Sequence, residues 1–213
     1  MQQPTMAAKT ACAPCISAAR PRGRAAPLTR RSRAAVVTAA TDNAAAQTVP
    51  SGLVKEGDRI PDGIELKYFD REGNLQTVTT TELFAGRRVV LFAVPGAFTP
   101  TCSLKHIPGF VDSAAEMQER GVDDIACVSV NDAFVMQAWG KAVDPSGRVL
   151  MLADGSARLA RALGVQLDLS EQGLGVRSRR YAMLVDDGKV TALRLEEGGA
   201  FTISGADDIM AAL

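Results

Sequence analysis

The chain has 213 residues and a mass of 22.4 kDa; 46% of it is hydrophobic, 23% is charged, it holds four cysteines, and its formal net charge is zero. That balance excludes wholesale disorder and supplies a core for one domain of ordinary size plus a tail. No stretch reaches the ~18 apolar residues of a spanning helix, four cysteines are too few for a disulfide-built secreted scaffold, and the total charge does not suggest a nucleic-acid binder.

The zero hides an asymmetry. Residues 1–41 contain no acid and seven bases, Lys9, Arg20, Arg22, Arg24, Arg30, Arg31 and Arg33, which leaves 17 basic against 24 acidic residues in 42–213. A head rich in Ala, Arg, Ser, Thr and Pro, without the continuous apolar region of a secretory signal, has the composition of a cleaved organelle transit peptide. Val37-Thr38-Ala39-Ala40 makes a processing site, and the Ser/Thr/Ala/Pro content points to the plastid stroma, with the mitochondrion second. A disordered basic arm for nucleic acid or an acidic surface is the alternative; the head lacks the lysine density and interleaved aromatics of such arms. The Cys12-x-x-Cys15 pair leaves with this segment, so the mature body keeps Cys102 and Cys127.

Residues 42–52 read as a linker, and the domain is expected over 53–213. Ile64 to Phe69 alternates apolar and polar, Arg71-Glu72-Gly73-Asn74 turns, and Leu75 to Thr79 forms a second strand, giving an N-terminal hairpin. Thr80 to Ala85 predicts a helical turn ending at Gly86. Arg88 to Val94 is a continuous apolar run, as in a strand buried on both faces. Phe110, Ala114 and Met117 share one helical face up to a stop at Gly121. Ile125 to Val130 predicts a second buried strand, and Ala133 to Val143 a helix capped by Asn131 or Asp132. Val149 to Leu152 is a short strand, and Ala157 to Leu163 a helix stopped by Gly164. Tyr181 to Val185 and Lys189 to Leu195 flank Asp186-Asp187-Gly188, a hairpin signal. Ser204 to Leu213 reads as a last helix, with Ser204 and Asp207 spaced as a capping box. Strands alternating with helices and ending in a hairpin imply an α/β domain with a mixed sheet and helices on both faces.

The chemistry lies in Val94 to Ser103. The segment follows a buried strand, and sites in open α/β sheets form just outside the carboxyl ends of strands. Pro100 suits the first turn of a helix, which puts Cys102 among free N–H groups at the positive helix end, a placement that lowers a cysteine pKa and makes a nucleophile. Thr99 can aim a hydroxyl at the same spot. The bland alternative is a small buried hydrophobe. His106, the single histidine, lies one turn on, so a Cys–His hydrolase is conceivable. Pro108 and Gly109, however, are expected to end the helix at once, and His106 is expected to make a structural hydrogen bond. Of Arg177, Arg179 and Arg180, one at the mouth of the following strand can supply a cation to the thiolate. One histidine and two mature cysteines cannot make a zinc site, and the chain lacks phosphate-loop and dinucleotide fingerprints.

Pro95-Gly96-Ala97-Phe98-Thr99-Pro100-Thr101-Cys102-Ser103, followed by His106-Ile107-Pro108-Gly109-Phe110, resembles the active-site signature of the type II (PRX5-like) peroxiredoxins. Val128 to Met136 with Trp139-Gly140, Leu152 to Gly155, and Gly175 to Tyr181 extend the resemblance from about Leu53 to the C-terminus; with the head, it is to the plastid form of plants and algae. The resemblance implies a thioredoxin-like fold and thiol-dependent reduction of hydrogen peroxide and alkyl hydroperoxides, without a cofactor. It implies that Cys102 is the peroxidatic cysteine, that Thr99 and Arg180 hold the thiolate and the peroxide oxygens, and that Pro95 shields the pocket. It implies a resolving role for Cys127, since Thr202-Ile203-Ser204 stands where other members carry a late-loop cysteine. Glutaredoxin with glutathione, or thioredoxin, would be the reductant. A small thiol would need only an open pocket mouth, whereas a disulfide to mid-strand Cys127 would need local unfolding. The family often forms homodimers. A non-catalytic thioredoxin-like binding module is the remaining alternative; nucleic acid and membrane are not expected as partners.

Overall fold

The computed structural model describes residues 52–213. The expected head, the Cys12–Cys15 pair, the processing site and nearly all of the linker lie outside the described residues.

The strands are β1 (Glu65–Phe69), β2 (Leu75–Thr79), β3 (Arg88–Val94), β4 (Asp124–Ser129), β5 (Leu150–Ala153), β6 (Gln166–Leu169), β7 (Gly175–Ser178), β8 (Tyr181–Asp186) and β9 (Lys189–Leu195). The helices are α1 (Thr80–Phe84), α2 (Ile107–Glu119), α3 (Ala133–Val143), α4 (Arg158–Ala162) and α5 (Ala206–Met210). Seven strands form one mixed sheet in the order β2-β1-β5-β4-β3-β8-β9. The central β3, β4 and β5 are parallel; β8 and β9 add antiparallel on one side, and the β1–β2 hairpin on the other. This is the thioredoxin-like α/β architecture expected, with the hairpin as its N-terminal extension.

Burial explains why β3 and β4 read as unbroken apolar runs. Alternate residues serve opposite faces: Val90, Phe92 and Val94 with Ile125 and Cys127 pack under α2, α3 and α5, while Val89, Leu91 and Ala93 with Ala126 and Val128 pack under α1 and α4. Local chemistry fixes the helix starts. Thr79 and Glu82 form a reciprocal capping box at α1, and Asp132 accepts from the Val135 N–H at 2.9 Å to cap α3. Trp139, the single tryptophan, is fully buried on α3, and its Nε1–H donates to the Ser103 hydroxyl at 3.0 Å.

Three expectations need correction. Pro108 and Gly109 do not end the helix: the chain turns helical at Pro100, widens into a π-turn over Cys102–His106, and continues as α2. The Ile107 N–H reaches back five residues to the Cys102 carbonyl. This widened turn comes just before the position where Pro108 has no N–H to give and its ring crowds the preceding turn. Secondly, Ser204 and Asp207 do not cap the last helix. Its N-cap is Gly205, whose N–H donates to the Asp208 carboxylate at 3.1 Å, and Ser204 turns inward to Glu196. Thirdly, β6 and β7 form a separate two-stranded sheet where no strands were expected.

Candidate active site

The loop after β3 is held from the neighbouring strand end. The amide oxygen of Asn131, just beyond β4, accepts from the Ala97 N–H at 3.0 Å, the Ser129 hydroxyl at 2.8 Å and Arg177 Nη1 at 3.2 Å. Gly96 is buried there, and a Cβ on it would lie 3.3 Å from both Arg177 Nη1 and the Thr99 methyl. Phe98 takes a left-handed φ of 62° with its ring exposed, a conformation that costs an L-residue energy and marks a constrained turn. Pro95 is half-buried at the start of the loop.

Thr99 lies at the helix entry. Its hydroxyl donates to the Gly96 carbonyl at 2.9 Å, which leaves the oxygen's lone pairs facing outward from that bond. The Ser103 N–H closes the first turn on the Thr99 carbonyl at 3.0 Å. Cys102 precedes that bond, so its own N–H belongs to the first, unpaired amides of a helix. Its side chain sits fully buried in the cluster beneath α2 and α3. The sulfur is therefore not exposed at the surface, and a reactant must approach it through the loop and helix entry that surround it.

The three arginines separate cleanly. Arg177 goes to Asn131 and the Leu174 carbonyl, and Arg179 donates twice to the Glu196 carbonyl. Arg180, 3% exposed, points at the sulfur: Nη1 lies 3.3 Å from Cys102 Sγ and 3.1 Å from His106 Nδ1, while Nε donates to the Ala200 carbonyl at 2.9 Å. The Phe201 ring lies 5.7 Å from its guanidinium carbon.

His106 is fully buried and makes the structural bond expected, with Nε2 at 2.9 Å from the Ser204 carbonyl. A carbonyl can only accept, so Nε2 carries the proton and Nδ1 is free to accept from Arg180. Burial, and then the adjacent Arg180 charge, bring the imidazole down to about 4, against the opposing Ser204 carbonyl and Glu196. An unfolded histidine titrates near 6.5. The unfolded chain thus binds the extra proton between pH 6.5 and 4, and folding stability present above this window is lost as pH falls through it. His106 is the chain's one histidine, and it contributes to the slope between pH 7.5 and 5. Urea unfolding should show a loss of about 2 kcal/mol over that interval, and His106→Asn should flatten the dependence; an unchanged slope in the variant would refute the assignment.

Cys127 shares the buried cluster with Cys102, in register with Phe92 and Met151 in the middle of the sheet. Burial pushes its thiol well up, with Cys102 adding to the effect and Arg180 opposing it. Both cysteines are free thiols. Among the described residues no group of His, Cys, Asp or Glu is arranged to hold a metal ion.

Sequence reasoning missed Asn131 as a loop anchor, and it missed Glu196, Ala200 and Phe201 entirely. In the sequence Asn131 reads as a helix-cap candidate and as part of the Val128 to Met136 stretch of the resemblance, neither of which gives it a partner in the loop. Glu196 carries no motif, and its partners lie six to eight residues further on, so neither helical nor strand spacing flags it.

The family model for redoxins matches residues 55–210. The chain is 61% identical over 161 residues to peroxiredoxin-2E-2, chloroplastic, of Oryza sativa subsp. japonica, covering 74% of this chain and 71% of that protein. It is 55% identical over 157 residues to peroxiredoxin-2B of Arabidopsis thaliana, covering 74% and 96%. Among solved structures, reduced Prx3 in complex with H2O2 from Vibrio vulnificus superposes with a TM-score of 0.70 at 48% identity, over 75% of this chain and 99% of that one. Peroxiredoxin 5 from Alvinella pompejana does so with a TM-score of 0.65 at 39% identity, over 75% and 97%. With the family model spanning nearly all of the described fold, and plant relatives this similar, the chain belongs to the redoxin family as a type II peroxiredoxin, a thiol-dependent peroxidase.

Proposed function

We propose that Cys102 is the peroxidatic cysteine, that Arg180 and Thr99 hold its thiolate and the peroxide oxygens, and that Pro95 shields the pocket. The observation that carries this reading is the Arg180 Nη1 to Cys102 Sγ approach of 3.3 Å inside a buried cluster. In the first step the thiolate sulfur bonds to one peroxide oxygen while the O–O bond breaks. Sulfur loses two electrons and becomes the sulfenic acid, and the departing oxygen takes the pair and a proton to leave as water or an alcohol. In this reading Arg180 stabilises the charge on that oxygen as it develops, while the Thr99 oxygen, whose own proton goes to the Gly96 carbonyl, accepts a hydrogen bond from the bound peroxide.

Two routes can return the sulfenic acid to the thiol. In one, glutathione attacks Cys102, water leaves, and glutaredoxin reduces the mixed disulfide. In the other, Cys127 attacks, water leaves, and the internal disulfide is reduced by thioredoxin or glutaredoxin. The shared cluster of the two cysteines favours the second route; the buried, raised Cys127 thiol favours the first, because a protonated thiol attacks poorly. We adopt the first route.

A panel of reductants tests it in wild type and Cys127→Ser. The variant is expected to turn over within about twofold of wild type with glutaredoxin and glutathione. If it instead accumulates sulfinic acid while wild type loses two hydrogens in mass on oxidation, Cys127 resolves and this route fails.

The relatives named chloroplastic, together with the acid-free head, support residence in the plastid after cleavage of residues 1–41, with 42–52 as a linker and 53–213 as the catalytic domain. We adopt the plastid stroma rather than the mitochondrion. Homodimerisation, common in the family, belongs to the same reading.

A further inference from the structure

Glu196 is a buried carboxylate just past the end of β9, and among the described residues it pairs with no cation. A charge in such a place costs free energy unless hydrogen bonds satisfy it. Here five do, and all come from one short segment. Oε1 accepts from the N–H groups of Thr202 at 2.6 Å, Ile203 at 2.8 Å and Ser204 at 3.0 Å, and from the Ser204 hydroxyl at 2.9 Å; Oε2 accepts from the Thr202 hydroxyl at 2.8 Å. Burial alone would push the carboxyl up, but these donors hold it down to about 2, so the anion is the folded form.

The segment so enclosed returns three groups to the reactive centre. The Ala200 carbonyl takes Arg180 Nε, the Ser204 carbonyl takes His106 Nε2, and the Phe201 ring packs 5.0 Å from the His106 ring centroid. Arg180 Nη1 then divides its hydrogens between His106 Nδ1 and Cys102 Sγ. Both constraints on the guanidinium, the one on Nε and the one on Nη1 opposite the sulfur, thus depend on residues 200–204. That segment starts from Gly198 and Gly199, which have no side chain to anchor it, with Gly198 at a left-handed φ of 55°.

We propose that Glu196 is the positioning residue of Arg180: by closing the 197–204 loop it sets the guanidinium against the Cys102 sulfur without touching the reacting atoms. The proposal rests on the role given above to Arg180.

Two substitutions separate geometry from charge. Glu196→Gln loses the charge and keeps the geometry. The amide oxygen can accept all three N–H groups, and the NH2 can donate to the Thr202 oxygen, which accepts as readily as it donates. Glu196→Asp keeps the charge and withdraws the acceptors by one methylene. The readouts are the second-order rate of hydrogen peroxide attack on the reduced full chain, and the pH profile of Cys102 alkylation, both in wild-type and Arg180→Ala backgrounds. Positioning predicts that Gln stays within about threefold of wild type in peroxide rate, that Asp falls about tenfold, and that Asp shifts the alkylation profile to higher pH. In the Arg180→Ala background the Asp effect should shrink below about twofold, because the group it positions is gone.

Removal of a nearby anion acts in the opposite direction, since it favours a thiolate. A Gln variant alkylated at lower pH than wild type, with Asp unchanged, would show that Glu196 acts by charge and overturn the proposal. So would an Asp effect of equal size with and without Arg180. If Arg180→Ala itself leaves the peroxide rate intact, it is the role of Arg180 that fails, which is a distinguishable result.

Discussion

Cys102→Ser is expected to reduce peroxide consumption to the uncatalysed background while the protein stays folded. Serine is close in volume, so the cluster beneath α2 loses little packing, but the hydroxyl is a far weaker nucleophile at neutral pH and cannot be oxidised to the sulfenic state. Stopped-flow peroxide consumption, checked against an unchanged far-ultraviolet spectrum, measures it. Retention of even a tenth of wild-type turnover would place the chemistry elsewhere. The Cys–His hydrolase alternative is disfavoured by geometry as well: His106 spends Nε2 on the Ser204 carbonyl and Nδ1 on Arg180, leaving neither nitrogen to take a proton from the thiol.

The second large effect is at Arg180. Arg180→Ala is expected to slow peroxide attack about a hundredfold or more, the scale of losing a preorganised donor where charge develops. Arg180→Lys should recover little of it. A single ammonium cannot span the Ala200 carbonyl, His106 and the sulfur as the guanidinium fork does. Arg179→Ala is the control, since its guanidinium is committed to the Glu196 carbonyl. A larger loss at Arg179 than at Arg180 would contradict the arrangement.

The sheet was legible because its strongest signals are local. Arg88 to Val94 is bounded by Gly86 and by Pro95-Gly96, and both of its faces are buried, so an apolar run of strand length had one reading. Asn131 or Asp132 marks the start of α3 by its capping chemistry, and the structure uses Asp132. The failures occurred where local rules met a longer-range constraint. Pro108-Gly109 reads as a breaker, yet packing of Ile107 and Phe110 against β3 carries the helix through it, at the cost of a widened turn. Ser204 reads as a helix cap, but a buried carboxylate eight residues earlier outcompetes that role. Within the site, the loop and its cysteine could be found from spacing. The choice of Arg180 among three arginines rested on resemblance, and the cradle around Glu196 exists only through tertiary contacts.

The bond from Trp139 to Ser103 gives the enzyme an intrinsic optical probe of its own reactive segment. Ser103 follows Cys102 directly, so any unwinding of the π-turn that frees the sulfur toward Cys127 or an external thiol removes the acceptor from a buried indole N–H. Leaving that donor unpaired costs on the order of 1–3 kcal/mol, which holds the segment wound in the reduced state and opposes a disulfide that needs it unwound. Indole emission depends on such hydrogen bonding, and no second tryptophan contributes background. Fluorescence during oxidation and re-reduction should therefore report any opening of this segment without a label.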